Sequence, residues 1–498
     1  MPASGAPVLD DTLIRMRDDA TPSAARRFAE LAAAFLAESL AGNVPVTTPA
    51  SADEVYAELD GALPGEGASL EESLGEFEKL VRHHSIRLSH PMYLGHQVSA
   101  PLPAAIWSEV LISVLNNSQA VREMSPAGTA VETRIIRWMC ELAGLPTSAG
   151  GTFTSGGTEA TFTAMLAARA ASRPEAWQRG VGEHPPVIVC GEHAHYAVTR
   201  AAGELGLGMN QVVMVPSRDF RLDVDELERT LGRLQAEGRD VMAVVATAGS
   251  TATGSFDDLE RIGQLCKARR LWLHVDGAHG ASARLSARRR GVVAGLRHAS
   301  SIAWDPHKMM LMPLSCGMLL VRDERQLAQA FAQRAPYLFH ERSGDRSWDQ
   351  GPRSFACSRR FDALKLWIAL KRYGAAGIGA LYDHLCDLTE HLAARLRETD
   401  GFEVLHQPEC NILCFRWLRA LGAKRLALSA INELNRALRD HYNASGESWI
   451  TTTMLSGMQV LRVTIMNPHT TEAHLDQLVS GLARIAQTLD PSPDGVAS

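Results

Sequence analysis

The stretch from Leu271 to Met310 constrains the fold of this chain more than any other. It opens with an apolar run, Leu271 to Val275, that ends in a carboxylate at Asp276. It closes with a second run, Ser301 to Trp304, that ends in Asp305, Pro306, His307 and Lys308. Short apolar runs of this length, bounded by turn residues, read as buried strands. In an open α/β sheet, ligands sit in the crevice beyond the carboxyl ends of the strands. Two successive strands therefore aim one anion and one amine at a common crevice.

Taken singly, Asp276 would cap a loop and Lys308 would be a solvated surface amine. Together, beside His307, they form the pair that pyridoxal phosphate chemistry needs: a lysine able to form a Schiff base and an aspartate able to keep a pyridine nitrogen protonated. The tokens HVDGAHG and WDPHK resemble the HVDAA and NPHK motifs of the pyridoxal phosphate-dependent amino acid decarboxylases, the group that holds the glutamate, cysteine sulfinate, aromatic and 2,4-diaminobutyrate decarboxylases. Further matches run from about Pro91 to about Thr471. Gly277 stands where that family usually has alanine, and Asp305 where it often has asparagine. Neither removes a group the chemistry requires. The resemblance implies an α/β fold of the pyridoxal phosphate-dependent transferase type (fold type I), with cofactor contacts from Asp276, Ala278, Asp305, His307 and Lys308.

At 498 residues the chain exceeds one compact core, and the usual size prior gives about three structural units. A formal net charge of -6 argues against a polyanion partner such as nucleic acid. The one basic cluster, Arg288 to Arg290, is expected to coat an exposed helix. The first residues, MPASGAPVLDD, lack an apolar or arginine-rich targeting pattern. No apolar run reaches membrane-spanning length, since Glu38 interrupts the best candidate. Eight cysteines occur without a CxxC pair, and Cys410 and Cys414 lack histidines at zinc spacing. A cytoplasmic protein with free thiols is expected.

Along the chain, Thr21-Pro22 followed by Phe28, Leu31, Phe35 and Leu40 predicts a capped amphipathic helix, and Ser69 with Glu72 a capping box before another. Residues 1–88 read as a helical segment without a core of its own. The family resemblance implies that it wraps a partner subunit, giving an obligate homodimer. Residues 89–372 are expected to form the large cofactor-binding domain, and 373–498 a small α+β domain. The segments HPMYLGHQVSA and NNSQAVREMSP resemble the family's pocket-lining stretches, which nominates His96, Gln97, Ser99 and Arg122 for substrate.

A strand near Gly151 to Ser155, a turn at Gly156-Gly157 and a helix from Thr158 make an anion site, where backbone amides and a helix dipole favour negative charge. FTSGGTEA resembles the family's phosphate loop, with Gly156, Gly157 and Thr158 on the phosphate. Its serine also fits a hydrolase nucleophile elbow, although Phe153 occupies the place of that motif's first glycine. His193 and His195 form an HxH pair compatible with a metal-dependent hydrolase, but no HExxH or cysteine cluster completes a site, and no metal is expected. HYAVTRAAGELGLG resembles the family stretch whose histidine stacks on the pyridine ring, which places that role on His195. Further strands at Val187 to Cys190, Val212 to Val215 and Val241 to Thr247 alternate with helical patterns, as in a doubly wound, mostly parallel sheet. ATAGSTATGSFDDL resembles another family segment and nominates Thr251.

Beyond the strand Gly317 to Val321 lies a charged, aperiodic stretch that reads as an active-site lid. YLFH resembles the lid tyrosine motif, so Tyr337 is the candidate acid, with His340 and Arg342 beside it. LRVTIMNPHTT resembles the segment whose arginine pairs with the substrate carboxylate, nominating Arg462. The expected activity is decarboxylation of an L-amino acid to its amine and carbon dioxide. An aminotransferase or decarboxylating aldehyde synthase of the same fold, and the metal-dependent hydrolase, are the alternatives.

Overall fold

The structure, a computed structural model, describes residues 5–48, 50–59, 61–331, 348–418 and 427–489. Tyr337, His340 and Arg342 lie outside the described residues. The first helices form where their caps predict. Thr21 accepts the Ala24 N–H at the start of the helix Pro22–Ala41, and Ser69 and Glu72 close a reciprocal capping box on Leu70–Phe77. Ser51 and Glu54 cap a further short helix, Ala52–Ala57, which the sequence reading does not place. Each such cap contributes about 1 kcal/mol. The buried residues of these helices are few (Ala24, Ser39 and Leu74), so they add little to the core.

The strands are β1 (Gly150–Thr154), β2 (Val187–Gly191), β3 (Val212–Val215), β4 (Ser217–Arg218), β5 (Arg221–Leu222), β6 (Val241–Thr247), β7 (Trp272–Asp276), β8 (Ser301–Trp304), β9 (Gly317–Val321), β10 (Phe402–Val404), β11 (Ile412–Trp417), β12 (Thr451–Leu455) and β13 (Met458–Thr464). Seven form one sheet in the order β1-β9-β8-β7-β6-β2-β3. From β3 to β8 the neighbours run parallel, while β9 runs antiparallel to both β8 and β1. The two reversals cancel, so β1 points the same way as the parallel set. Thr154, Thr247, Asp276 and Trp304 consequently end at one edge of the sheet.

Alternate strand residues go to opposite faces, as a period of two requires. Val187, Val189, Val244, Ala246, Leu273 and Val275 pack in one cluster with Leu227 and Ile262. Ile188, Cys190, Ala243, Val245 and Trp272 pack in another with Ala160, Ala164 and Met165 of the helix Gly157–Ser172. Helices cover both faces, and every residue of β7 and β8 is buried. This is the mostly parallel, doubly wound sheet of fold type I.

A second sheet is antiparallel, in the order β10-β11-β13-β12. The helix Ala363–Glu398 crosses the boundary expected at residues 372 and 373 and breaks at Gly374, whose φ of 71° is accessible to glycine without steric cost. The threonine-rich β12 and the hairpin of β4 and β5 were not expected. Arg288 and Arg289 correct another expectation, because they do not simply coat a helix. Arg289 bonds Asp387 and Glu390 at 2.9 Å each, and Arg288 pairs with Asp387, so both fasten the following segment to the helix Ala363–Glu398. A second ion pair is largely interior: Arg359 grips Glu132 in a bidentate pair, Nη1 to Oε2 at 2.8 Å and Nη2 to Oε1 at 2.5 Å.

Candidate active site

The shared edge opens into a cavity of about 340 Å³ lined by Ser155, Gly156, Gly157, Thr158, His195, Thr251, Asp276, Ala278, His279, Asp305, His307 and Lys308, among others. Each arrives by the same logic, since it terminates a strand at this edge or lies in the turn that follows. Strand order does the rest. β8 lies beside β7, which brings Lys308 and Asp276 into one cavity, and β1 lies two strands from β8 across β9, which brings in the glycine turn.

The glycine turn binds anionic oxygens. Ser155 N–H donates to Glu159 Oε2 at 2.8 Å, and Gly157 N–H donates to Asp305 Oδ2 at 2.9 Å. Close approach explains the glycine at 157, because a Cβ there would stand 2.9 Å from the Ala278 Cβ and 3.2 Å from Asp305 Oδ2. Gly317 is pressed in the same way, its notional Cβ only 2.5 Å from the Gly156 Cα. The other Asp305 oxygen, Oδ1, is buried without a partner. Lys308 Nζ and His307 Nε2 each lie 3.4 Å from Asp305 Oδ2. His307 takes the Cys316 N–H on Nδ1, so its proton sits on Nε2, toward that carboxylate. Burial holds this ring below the usual histidine range.

His195 takes the Ala197 N–H on Nδ1 at 3.2 Å, which leaves its proton on Nε2. Burial lowers its affinity for a second proton, opposed by Asp276 and reinforced by Lys308. The imidazole is thus neutral and close to both charged groups. Asp276 is only 9% exposed, with Oδ1 accepting the Ala278 N–H at 3.2 Å.

The substrate candidates are less closely gathered. Arg462 is buried on β13, its Nη1 donates to the Thr251 carbonyl at 2.7 Å, and its Nε is unpartnered. His96 is exposed outside the lining set, its ring under the electrostatic influence of Arg462, and Gln97 is half-buried with Nε2 unpartnered. Ser99 departs from expectation. Its hydroxyl points inward and donates to the His307 carbonyl at 3.0 Å, so it props the Lys308 turn rather than facing the cavity. Arg122 is exposed and outside the lining, with its backbone N–H on Asp349. His193 packs near Phe220, and among the described residues no group of three His, Cys, Asp or Glu could hold a metal.

Two lining features were missed by sequence reasoning. His279 faces the cavity and bonds Asn411 at 2.7 Å. Tyr196 also lines it, with its ring centroid 4.2 Å from that of His195. His279 was in plain view inside HVDGAHG, but nothing near it announces a partner at position 411.

Residues 53–418 match the model of the pyridoxal-dependent decarboxylase conserved domain. The chain belongs to this family. It is 34% identical to an L-2,4-diaminobutyrate decarboxylase of Rhizobium meliloti over 86% of this chain and 84% of that one. It is 31% identical to the cysteine sulfinic acid decarboxylase of Mus musculus over 88% and 90% of the two chains. The crystal structure of mouse CSAD in apo form superposes with a TM-score of 0.87 at 28% identity, covering 94% of this chain and 100% of that one. The protein is therefore a pyridoxal phosphate-dependent amino acid decarboxylase, a carboxy-lyase. The aminotransferase, aldehyde synthase and hydrolase alternatives are not favoured. The site also fits the cofactor on its own chemistry: an amine and a carboxylate face one cavity, and the adjoining glycine turn already binds anionic oxygens.

Proposed function

We propose that this chain decarboxylates an L-amino acid at the cavity below the β7 and β8 edge. The observation that carries the reading is the convergence of Lys308, Asp276 and the Gly156-Gly157 turn on that one cavity. Pyridoxal phosphate, when bound, supplies an electron sink for the pair left behind as the carboxylate departs. In this reading Lys308 is the covalent anchor. Gly156, Gly157 and Thr158 hold the phosphate, backed by Asp305 and His307. Asp276 would keep the ring nitrogen protonated, His195 and Ala278 would line the ring, and Thr251 would flank the site.

Arg462 takes the substrate carboxylate in a planar, paired contact. His96, Gln97 and Arg122, which lie outside the lining of the cavity, are the candidates for side-chain recognition, while Ser99 serves indirectly through His307. In this reading Tyr337, which lies outside the described residues, delivers the proton to the substrate Cα.

The family's relatives act on side chains of opposite charge, a diamine and a sulfinate, so specificity is decided by assay. Carbon dioxide release measured across 2,4-diaminobutyrate, cysteine sulfinate, aspartate, glutamate and aromatic amino acids identifies the substrate. No release from any of them would overturn the reading.

The protein acts as a homodimer in this reading. Support comes from the helix Pro103–Leu115, which leaves Trp107, Val110, Leu111, Val114 and Leu115 exposed, and from Leu314 at the cavity. Sedimentation analysis at micromolar concentration tests it. A cytoplasmic location agrees with eight unpaired cysteines, and no described helix is long and apolar enough to cross a membrane.

A further inference from the structure

The segment that carries Lys308 from β8 to β9 belongs to no helix or strand, and within it Leu311 stands at φ 59°. A leucine keeps that left-handed conformation only where its surroundings hold it. Two ties come from the residues ahead of the helix Pro103–Leu115: the Ser99 hydroxyl on the His307 carbonyl, and the Leu102 N–H on the Leu311 carbonyl at 2.8 Å. A third comes from Lys365, in the first turn of the helix Ala363–Glu398. Its side chain is fully buried, and the amine donates to the Ser315 carbonyl at 2.6 Å.

Two carboxylates share that amine, Glu109 at 2.7 Å and Asp362 at 2.9 Å. Burial alone would lower its pKa, but the carboxylates outweigh burial and it remains an ammonium. Fastening one helix to the other would need only Glu109. Here the shortest of the three contacts goes to a main-chain oxygen of the Lys308 segment, which fixes the backbone itself.

The neighbours of Ser315 show what this bond holds. Leu314 lines the cavity. Cys316 exchanges two bonds with His307: its N–H donates to Nδ1 at 3.1 Å, and its carbonyl accepts the His307 N–H at 3.0 Å. The other ring nitrogen of His307 lies 3.4 Å from Asp305 Oδ2, the oxygen that Lys308 Nζ approaches at the same distance. Short contacts and adjoining peptide units therefore lead from the Lys365 amine to the Lys308 amine.

We propose that Lys365 is a positioning residue for the reaction: its buried ammonium holds the Ser315 carbonyl, and through Cys316 this fixes the His307 ring, the place of Lys308 and the cavity wall at Leu314. The proposal rests on the cofactor roles assigned above to Lys308 and His307. Lys365 itself lies outside the cavity lining and acts through the backbone.

The test uses the full chain, with and without pyridoxal phosphate, and compares Lys365→Met with Glu109→Gln. Methionine keeps most of the length and volume of lysine but offers no donor. Glu109→Gln weakens the cluster and leaves the ammonium on Ser315. Hydrogen exchange of the 309–317 peptide is read in the cofactor-free enzyme. The cofactor dissociation constant, the visible circular dichroism of the bound cofactor, and kcat separately from KM are read after loading. In Lys365→Met exchange should quicken and the dissociation constant should rise by about tenfold each, the size expected for one hydrogen bond to a charged group. The dichroic band should change, and kcat should fall by about tenfold with KM near wild type. Glu109→Gln should stay within about twofold of wild type in all of these, although both variants lower the denaturant midpoint.

Wild-type exchange, affinity and dichroism in Lys365→Met would overturn the role and leave a structural ion pair, as would equal changes in Glu109→Gln. Should Lys365→Met not fold, the triple variant Lys365→Met, Glu109→Gln and Asp362→Asn decides by the same quantities, because it removes the donor without leaving a buried charge unpaired. The underlying reading fails separately. Cofactor still attached to the chain in Lys308→Ala removes the anchor itself, whereas lost attachment in Lys308→Ala beside a wild-type Lys365→Met removes only the role of Lys365.

Discussion

His279 donates its Nε2–H to Asn411 Oδ1 at 2.7 Å and so ties the turn after β7 to the entrance of β11 in the other sheet. The direction is fixed from the far side. Asn411 Nδ2 donates to the Ile465 carbonyl at 2.9 Å, which leaves only its oxygen for the histidine. Asn411 leads into β11, which pairs with the strand that carries Arg462, so this bond links the sheet of that arginine to the edge that carries Lys308. Asn411→Leu removes both contacts. KM for the amino acid should rise about tenfold, the cost of roughly one buried hydrogen bond, while the cofactor dissociation constant stays near wild type. A matching loss of cofactor affinity in equilibrium titrations would show that the tie serves the cofactor instead.

Two buried histidines should make the fold acid-sensitive. Burial pushes His274 down to about 4 and His279 down to about 3, the latter with Lys308 and Arg462 adding to the effect. Their folded values lie below the ordinary 6.5, so the unfolded chain is the tighter proton binder. Stability present above about pH 6.5 is then lost as the pH falls toward the folded values, at about 1.4 kcal/mol per pH unit for each ring. Denaturant midpoints measured from pH 7 to 5 should decline, and His279→Phe should flatten the decline. An unchanged slope in that variant would contradict the assignment.

Lys308→Ala should abolish covalent attachment of the cofactor. Borohydride followed by peptide mass analysis should find it on Lys308 in the wild type and nowhere in the variant. Among the described residues, the other interior amine is already engaged: Lys365 Nζ bonds the Ser315 carbonyl at 2.6 Å, Glu109 at 2.7 Å and Asp362 at 2.9 Å. Cofactor still fixed to the chain would refute the anchor.

Tyr337→Phe tests the acid role proposed for that tyrosine. A positioned acid accelerates proton transfer by about 10² to 10⁴-fold. Carbon dioxide release should persist at a reduced rate while amine yield falls and carbonyl product appears. Equal amounts of amine and carbon dioxide at the wild-type rate would move the acid role elsewhere, first to His195.

Glu132→Ala leaves the Arg359 guanidinium buried without its carboxylate. Breaking such an interior pair by removing one partner costs roughly 3–5 kcal/mol. The urea midpoint should drop accordingly. A loss under about 1 kcal/mol, the worth of an exposed pair, would mean that the arginine finds solvent.

The site was legible where one short segment holds both the fold signal and the chemistry. Apolar runs that stop at Asp276 and at Asp305 announce buried strands and their carboxyl ends together, and β8 lies where it was expected. Other features depend on residues far apart in the chain. The partners of Arg359 and His279 are 227 and 132 residues away, and no local pattern connects them. The direction of β9 is equally hidden, because an apolar run carries no record of its neighbour's polarity. β12 escaped for a different reason: Thr451, Thr452 and Thr453 offer no apolar alternation, although Thr451 is buried.

The reversed strand β9 gives Lys308 a fixed mechanical setting. The chain leaves the edge at Trp304, turns through Lys308 and comes back to the same edge at Gly317, where it is clamped against Gly156. The lysine thus rides on a loop moored at both ends in the middle of the sheet, with Ser99 bracing it from beneath. Sequence drift or engineered change in outlying segments can proceed without disturbing the footing of Lys308. A scaffold of this kind permits new side-chain preferences while the chemistry stays in place.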